Sequence, residues 1–363
     1  MTPPDFPKPA PPQRAPQPAV DYAIDGYWDR GWRGPSTVRV TAEKITVLPD
    51  AAKHAAAEGA VAPVRHLPGV LLPGFRDSHV HLGLIDPHTL IAGGLAAVDD
   101  LGGDPDKLIA WADDPAIPEL RYAGAFITAP GGYPVTRDWA ATLSVCEVST
   151  PEQAITVVAE QVAAGATLVK LTLNAEDGPV LSDETVAAVV EYAHSRGCEV
   201  VAHVQGAGQA LRAFESGVDR LAHTPWTERL DDSLIEAMAH TDQRFLGGRH
   251  SWISTLDMHG YGRYGADFEI ASDNLRRFHR AGGLVHYGTD LGNGNLPSGL
   301  NERELVAMQN AGVRDDALLH ALCLPRFGTT VSHLPRVPDP DTDLAEWLMT
   351  ATVVTARELM RTR

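Results

Sequence analysis

Through the middle of the chain, apolar residues at helical spacing alternate with short apolar runs, and a glycine separates the two. Ala154, Val157, Val158 and Val162 mark one face of a helix expected over residues 150–164; Gly165 ends it, and Ala166-Thr-Leu-Val-Lys170 follows. Val186, Val189, Val190 and Ala193 mark a second helix over 182–196, with Ser182 as its N-cap; Gly197 ends it before Cys198-Glu-Val-Val-Ala-His203. Residues 206–216 carry Ala207, Leu211 and Phe214 and stop at Gly217, ahead of Val218-Asp-Arg-Leu-Ala-His223. A fourth helix over 268–281 gives way at Gly282-Gly283 to Leu284-Val-His-Tyr-Gly-Thr-Asp290. A glycine just past a helix takes the left-handed cap that other residues resist.

The alternation extends to both sides of this region. Residues 95–100 and 122–127 fit a second and a third strand, and residues 252–256 a seventh. Apolar, β-branched strands that alternate with helices describe a parallel sheet covered by helices. About eight such units over residues 71–323 match the roughly 250 residues of an α/β fold of the (β/α)8 TIM barrel type. A doubly wound open sheet is the competing reading. Its first strand normally runs into a glycine-rich phosphate turn, and here His79 and His81 stand at that place. Residues 1–19 are rich in proline and lack apolar periodicity, so a disordered, partly polyproline-like tail is expected. Residues 20–70 are β-rich and partly alternating, which suggests a small β module ahead of the main domain.

Composition narrows the classes of function. With 363 residues, 44% hydrophobic and 21% charged, the chain suits a soluble globular enzyme with one large and one small domain. The net charge of −17 would repel a nucleic-acid backbone or an anionic membrane, so the expected partner is a small-molecule substrate; a homo-oligomer stays open. Three cysteines, Cys146, Cys198 and Cys323, with no C-x-x-C, imply neither a disulfide framework nor a zinc knuckle. Cys198 opens an apolar run and fits a buried thiol. The N-terminus lacks a basic region followed by an apolar core, and no apolar stretch reaches about 18 residues. No signal peptide or membrane span is therefore expected, and the cytoplasm follows by default.

The polar residues that close the apolar runs carry the chemistry. In Leu71-Leu-Pro-Gly-Phe-Arg-Asp-Ser-His-Val-His-Leu82 a short strand delivers His79 and His81, which share one face because successive side chains alternate. Lys170, His203, His223 and Asp290 follow their glycines by five, six, six and eight positions, about one strand length. In a barrel, the C-terminal ends of all strands open onto one rim. Singly, His203 or His223 reads as a core histidine, Lys170 as a salt-bridge partner and Asp290 as a loop cap. Jointly, four imidazoles, a carboxylate and an amine form a divalent-metal inventory. His54, His66, His194, His240 and His320 lack this context and read as surface or helix residues. His286, four positions before Asp290, is a further inward-facing candidate.

As a set, His79-Val-His81, Val169-Lys170, Ala202-His203, Ala222-His223 and Gly288-Thr-Asp290 resemble the five signature segments of the metal-dependent amidohydrolase superfamily. Gly165 to Trp226, and Ala92-Gly-Gly-Leu-Ala-Ala-Val-Asp-Asp-Leu-Gly, are similar to the branch that holds imidazolonepropionase and the Xaa-Pro dipeptidases (prolidase-like enzymes). The resemblance covers residues 70–325. It implies two divalent metal ions, zinc by default, with manganese, cobalt or nickel suited to the same ligands. It implies His79, His81 and Asp290 on one ion, His203 and His223 on the other, and Lys170 shared after carboxylation by CO2. An ammonium cannot ligate a cation, and a lysine near metals has the depressed pKa that permits this modification. It implies that a water activated between the ions attacks a carbonyl, with Asp290 as the catalytic general base and then acid.

The resemblance also implies a small β-sandwich-like domain built from both termini, residues 20–70 plus about 336–363, around a hydrolase barrel over 71–335. The end of the chain departs from the pattern. Residues 332–343 replace a glycine-rich turn, and Thr342-Asp-Leu-Ala resembles a remnant of the family's return strand. The spacing of Leu348, Val353 and Leu359 also fits a closing helix over 345–360.

Specificity is expected in the loops that follow the strands. Around strand seven, Arg249, His250, His259, Tyr261, Arg263 and Tyr264 offer cations and rings for a substrate carboxylate or a planar group. Tyr133, Trp226, Asn293 and Asn295 are further candidates. The leading expectation is hydrolysis of an amide C–N bond in a dipeptide, an N-acyl amino acid or a cyclic amide. Heterocycle deamination on the same scaffold, lactone or ester hydrolysis, and a non-catalytic binding module are the alternatives. By resemblance, Lys170 argues against deamination, and retention of all six ligands argues against lost catalysis.

Overall fold

A computed structural model describes residues 18–48, 64–142, 144–241, 248–339 and 341–361. The tail expected over residues 1–19 lies outside the described residues except for its last two positions, and His54 lies outside them too. The described chain opens with strands β1 (Val20–Trp28), β2 (Trp32–Arg33), β3 (Ser36–Val40), β4 (Ile45–Leu48) and β5 (Arg65–Pro73). Alternation in β1 buries Tyr22, Ile24 and Trp28. β3 pairs antiparallel with β1 and with β4, and β5 pairs parallel with β1.

Two parallel sheets carry the centre. β6 (Arg76–Val80), β7 (Ala97–Asp100) and β8 (Glu119–Tyr122) form one, in that order. The other contains β9 (Phe126–Thr128), β10 (Val145–Glu147), β11 (Leu168–Asn174), β12 (Glu199–Gln205), β13 (Arg220–Leu221), β14 (Ser251–Ile253) and β15 (Leu284–His286). Its order is β10-β9-β11-β12-β13-β14-β15. The two sheets meet twice. Ser78 N–H donates to Tyr287 O at 2.9 Å and His81 N–H to Leu291 O at 2.8 Å, beside a parallel bridge between Val80 and Leu291. On the other side, Thr167 N–H donates to Tyr122 O at 3.2 Å. The third strand expected over 122–127 is two strands. Gly124, at φ +77°, turns the chain between β8 and β9.

Helices α1 (Pro105–Ala112), α2 (Pro151–Ala163), α3 (Asp183–Ser195), α4 (Gln209–Glu215), α5 (Asp232–His240), α6 (Ala266–Arg280), α7 (Glu302–Asn310) and α8 (Asp316–Leu322) connect these strands. Ser182 caps α3 as its sequence suggests, accepting from Thr185 N–H at 3.2 Å. α3 buries Val186, Val189, Val190 and Ala193 against the strands. Among the described residues, no helix is long and apolar enough to cross a membrane, and all three cysteines are free.

The chain then returns to the first sheet. β16 (Thr330–Leu334) pairs antiparallel with β5 and with β17 (Thr352–Thr355), completing the order β17-β16-β5-β1-β3-β4, with β2 on β1. This return begins at Thr330, ahead of residue 336. The closing helix over 345–360 is not formed as one piece. It is α9 (Leu344–Leu348) and α10 (Ala356–Arg361), separated by the β-branched run Thr352-Val-Val-Thr355, which joins the sheet. Nor is Thr342-Asp-Leu-Ala a strand: the Asp343 carboxylate caps α9, accepting from Ala345 N–H at 2.9 Å. The architecture is a mixed α/β fold whose parallel strands pack into a large apolar core and a smaller second cluster that includes Leu168, Val201 and Ile253, beside a sheet drawn from both flanks of the chain.

Candidate metal centre

His79, on β6, and His81, just past it, are buried, and their Nε2 atoms lie 3.2 and 3.1 Å from Asp290 Oδ1. Their other nitrogens are taken: His79 Nδ1 is 2.8 Å from Ala222 O, and His81 Nδ1 is 3.0 Å from Gly102 O. A carbonyl only accepts, so Nδ1 carries the hydrogen in both rings. Burial, reinforced by Lys170, pushes the His79 imidazole well below its ordinary pKa, so its Nε2 faces the Asp290 carboxylate as a bare lone pair. Two acceptors at hydrogen-bond distance with no proton between them repel. A cation between them converts that repulsion into ligation, and the three donor atoms fit one.

Asp290 is placed by an uncommon backbone. Its φ of +61° is left-handed for a residue that carries a Cβ. Asp290 N–H donates to His79 O at 2.9 Å, and Asn293 Nδ2 donates to Asp290 Oδ2 at 2.8 Å. At Gly288 a Cβ would meet Ile253 Cγ2 at 2.3 Å, so only glycine lets the chain pass this close to β14. Burial alone would raise the Asp290 carboxyl, but His79, His81 and Asn293 outweigh it and hold it well below the usual range.

Lys170 is buried on β11, with Nζ 3.4 Å from His79 Nε2. Burial lowers its ammonium to about 7, against the pull of Asp290 and Asp100. His223 lies with its ring centroid 4.6 Å from that of His79 and 5.0 Å from that of His203. Its Nδ1 is 3.0 Å from Thr255 Oγ1, another residue with positive φ. Burial lowers His203 to about 3. The structure thus brings His79, His81, Lys170, His203, His223 and Asp290 together around one cavity of about 240 Å³.

No protein-family model matches the chain. Uncharacterized proteins of Mycobacterium tuberculosis and Mycobacterium bovis are 27% identical to it over 292 residues, 70% of this chain and 73% of theirs. Three solved structures superpose over 93% of it. A candidate prolidase from Bifidobacterium longum does so at TM-score 0.72 and 22% identity, over 93% of that chain. Ochratoxinase of A. niger gives 0.74 and 16% over 94% of its chain, and an Xaa-Pro dipeptidase with bound methionine gives 0.71 and 17% over 98%. The chain shares the fold of these three structures.

Within this fold, two of the candidate ligands sit deeper than the glycine offsets suggest. Lys170 and His203 are inside their strands, because β11 and β12 run on to Asn174 and Gln205, whose side chains bond at 2.8 Å. Gln205 shares the face of His203, and its Oε1 is 3.4 Å from His203 Nε2. Tyr133 stacks on His203 at 4.8 Å between centroids, and Trp226 packs edge-on against His203 and His223. Asn293 also lines the cavity, together with five residues not foreseen: Phe126, Arg137, Trp139, Gln205 and Met258. Phe126 was marked by its strand, Arg137 and Trp139 by their nearness to Tyr133, and Gln205 by its spacing of two from His203.

The remaining loop candidates are supports or lie elsewhere. His259 packs on Trp226 at 5.1 Å, and burial lowers it to about 4. Tyr261 donates to Asn293 O at 3.1 Å. Tyr264 stacks on Phe268 and donates to Asp257, and the exposed Arg263 is not on the cavity wall. Asn295 O accepts from Arg303. Arg249 and His250 are not on the wall of this cavity. They precede β14, which puts them at the opposite end of the strands. Arg249 donates there to Ala239 O and Gly282 O, and the His250 ring is held between Val218 O and Trp252 Nε1. His286 faces that far end as well.

Proposed function

We propose that this chain hydrolyses an amide bond of a small molecule, using two divalent cations in the mouth of a (β/α)8 barrel. The observation that carries the proposal is the convergence of His79, His81 and Asp290, whose donor atoms lie close enough together to hold one cation. The two hydrogen-bonded meetings of the parallel sheets support the closed barrel. His79, His81 and Asp290 would hold one cation, and His203 and His223 the other. Lys170 would join them as a carbamate, formed when the neutral amine adds to CO2 through a new N–C bond and loses a proton; its pKa near 7 supplies that neutral amine. When bound, the cations act as Lewis acids on water and on the substrate carbonyl. Zinc is the default, and manganese, cobalt or nickel suit the same donors.

The chain's own groups account for the rest. Asp290 takes a proton on the side where Asn293 steadies Oδ2 and returns it to the leaving nitrogen. Phe126, Trp139, Trp226 and Tyr133 wall off water and contact an apolar acyl or side-chain group. With Lys170 committed, Arg137 is the fixed cation on the cavity wall, which favours a substrate with a free carboxylate, an N-acyl amino acid or a dipeptide. The test combines metal analysis with a substrate panel. About two ions per chain and new amines from N-acyl amino acids or dipeptides are expected. Ammonia from an aminopurine or cytosine, without new amines, would replace hydrolysis by deamination.

A further inference from the structure

The cavity at the opposite end of the strands is larger than the mouth, about 470 Å³ against 240 Å³, and amide hydrolysis does not use it. Three guanidinium groups reach it from different strands: Arg76 opens β6, Arg121 lies in β8 and Arg220 opens β13. Their shared partner is Asp99, buried on β7. It lies 2.9 Å from Arg121 Nε, 3.3 Å from Arg220 Nη1 and 3.4 Å from Arg76 Nε. Glu199 takes Arg220 Nη2 at 3.1 Å, and the exposed Glu119 takes Arg76 Nη2 at 3.5 Å.

Arginine can only donate. The three side chains carry about fifteen N–H donors, and five hydrogen bonds to carboxylates engage them. Arg76 Nε is buried and makes no hydrogen bond. It is the one donor of the three side chains that is both buried and unmatched, and such a donor is costly. The other acids on the wall are Asp219, engaged by His194 at 2.8 Å, and the exposed Asp29. A chain of net charge −17 has therefore gathered guanidinium donors in excess of their carboxylate partners at one partly open cavity.

We propose that this cavity binds a small phosphate-type oxyanion, either inorganic phosphate or the phosphate of a small monoester, gripped by Arg76, Arg121 and Arg220. Guanidinium forks match the oxygens of a phosphate two at a time. Ser78 and Ser251 line the same space and add hydroxyl donors. Trp28 and His320 meet edge to face at 4.8 Å on the wall, where the organic part of an ester would lie.

The test is calorimetric titration of the full, metal-loaded chain with potassium phosphate and with phenyl phosphate, at constant ionic strength in chloride. Saturable binding that weakens at least about tenfold in R76Q and in R121K is expected. R121K keeps the charge and removes the fork, so it tests the geometry even if R76Q does not fold. Tighter binding of phenyl phosphate assigns the site to an ester, and binding of inorganic phosphate alone assigns it to the free ion. No saturable heat, or binding equally strong in the folded variants, as phosphate on the metal centre would give, overturns the proposal.

Discussion

Asp77 and Thr289 are 212 positions apart and locked together: one carboxylate oxygen accepts Thr289 N–H at 3.1 Å, and the other accepts its hydroxyl at 2.6 Å. The first of those oxygens also accepts His79 N–H at 3.0 Å. One buried carboxyl therefore fixes both His79 and the residue next to Asp290. D77A leaves two buried N–H groups without an acceptor, at about 1–3 kcal/mol each. Metal affinity should fall about 10–100-fold. D77N keeps an acceptor oxygen and should retain most of both. Thermal melts and metal titrations of the two variants check this, and equal losses in both would remove the positioning role.

Lys170 faces His79 across 3.4 Å as an amine that burial brings close to neutrality. If its carbamate bridges two cations, K170A should bind about one ion in place of two and lose turnover. Native mass spectrometry of the unaltered chain should show one CO2 adduct that K170A lacks. Two retained ions in K170A would end the bridging role.

Glu304, on α7, accepts from Leu256 N–H at 3.0 Å and Asp257 N–H at 2.7 Å, anchoring the loop after β14. Burial lifts its carboxyl to about 7, above the roughly 4.3 of an unfolded glutamate. A folded-state pKa above the unfolded value means the folded chain holds the proton more tightly. The stability Glu304 contributes is then complete below about pH 4 and is lost as pH rises through about 7, at up to about 1.4 kcal/mol per pH unit. Asp77, also lifted to about 7 by burial, acts in the same direction. E304Q should remove its share of the slope in melts from pH 5 to 8. An unchanged slope would assign the dependence to other groups.

How far the sequence could be read depended on whether a residue belonged to a periodic element. Gly165, Gly197, Gly217 and Gly282 all have positive φ just beyond their helices, so the punctuation was real and located the runs that follow. The offset from each glycine fixed which strand carries Lys170 or His203 but not where that strand ends, because Asn174 and Gln205 extend the ladder with polar side chains. Proximity in sequence to strand seven suggests Arg249 and His250 for the pocket. Direction along a strand decides which end a flanking residue reaches, and they flank its start. Arg137 lies in a loop and Trp139 in the short 3-10 turn Asp138–Thr142 that follows it, where no spacing announces that a side chain turns inward. The break between β8 and β9 depends on one left-handed glycine inside an otherwise continuous apolar run.

Arg137 supplies the sharpest test of substrate class. Its guanidinium carbon stands 5.6 Å from the centre of the Tyr133 ring, which itself stacks on His203, and the group pairs with Asp177. The position is fixed from below by a ring and from the side by a carboxylate, and the guanidinium stays half exposed to the mouth. A substrate carboxylate bound there would leave the amide bond directed toward the histidines. Replacing Arg137 with methionine keeps the apolar stem and removes the charge, a loss of about 1.5–3 kcal/mol for a charged hydrogen bond. KM for an N-acyl amino acid should therefore rise about 10–100-fold with kcat little changed, because the contact is the same in ground and transition states. The matching C-terminal carboxamide should be a poor substrate for the unaltered chain and no worse for R137M. Equal effects on acid and amide would show that Arg137 braces Tyr133 instead of reading the carboxylate, and a fall in kcat alone would move it from recognition to the reacting centre.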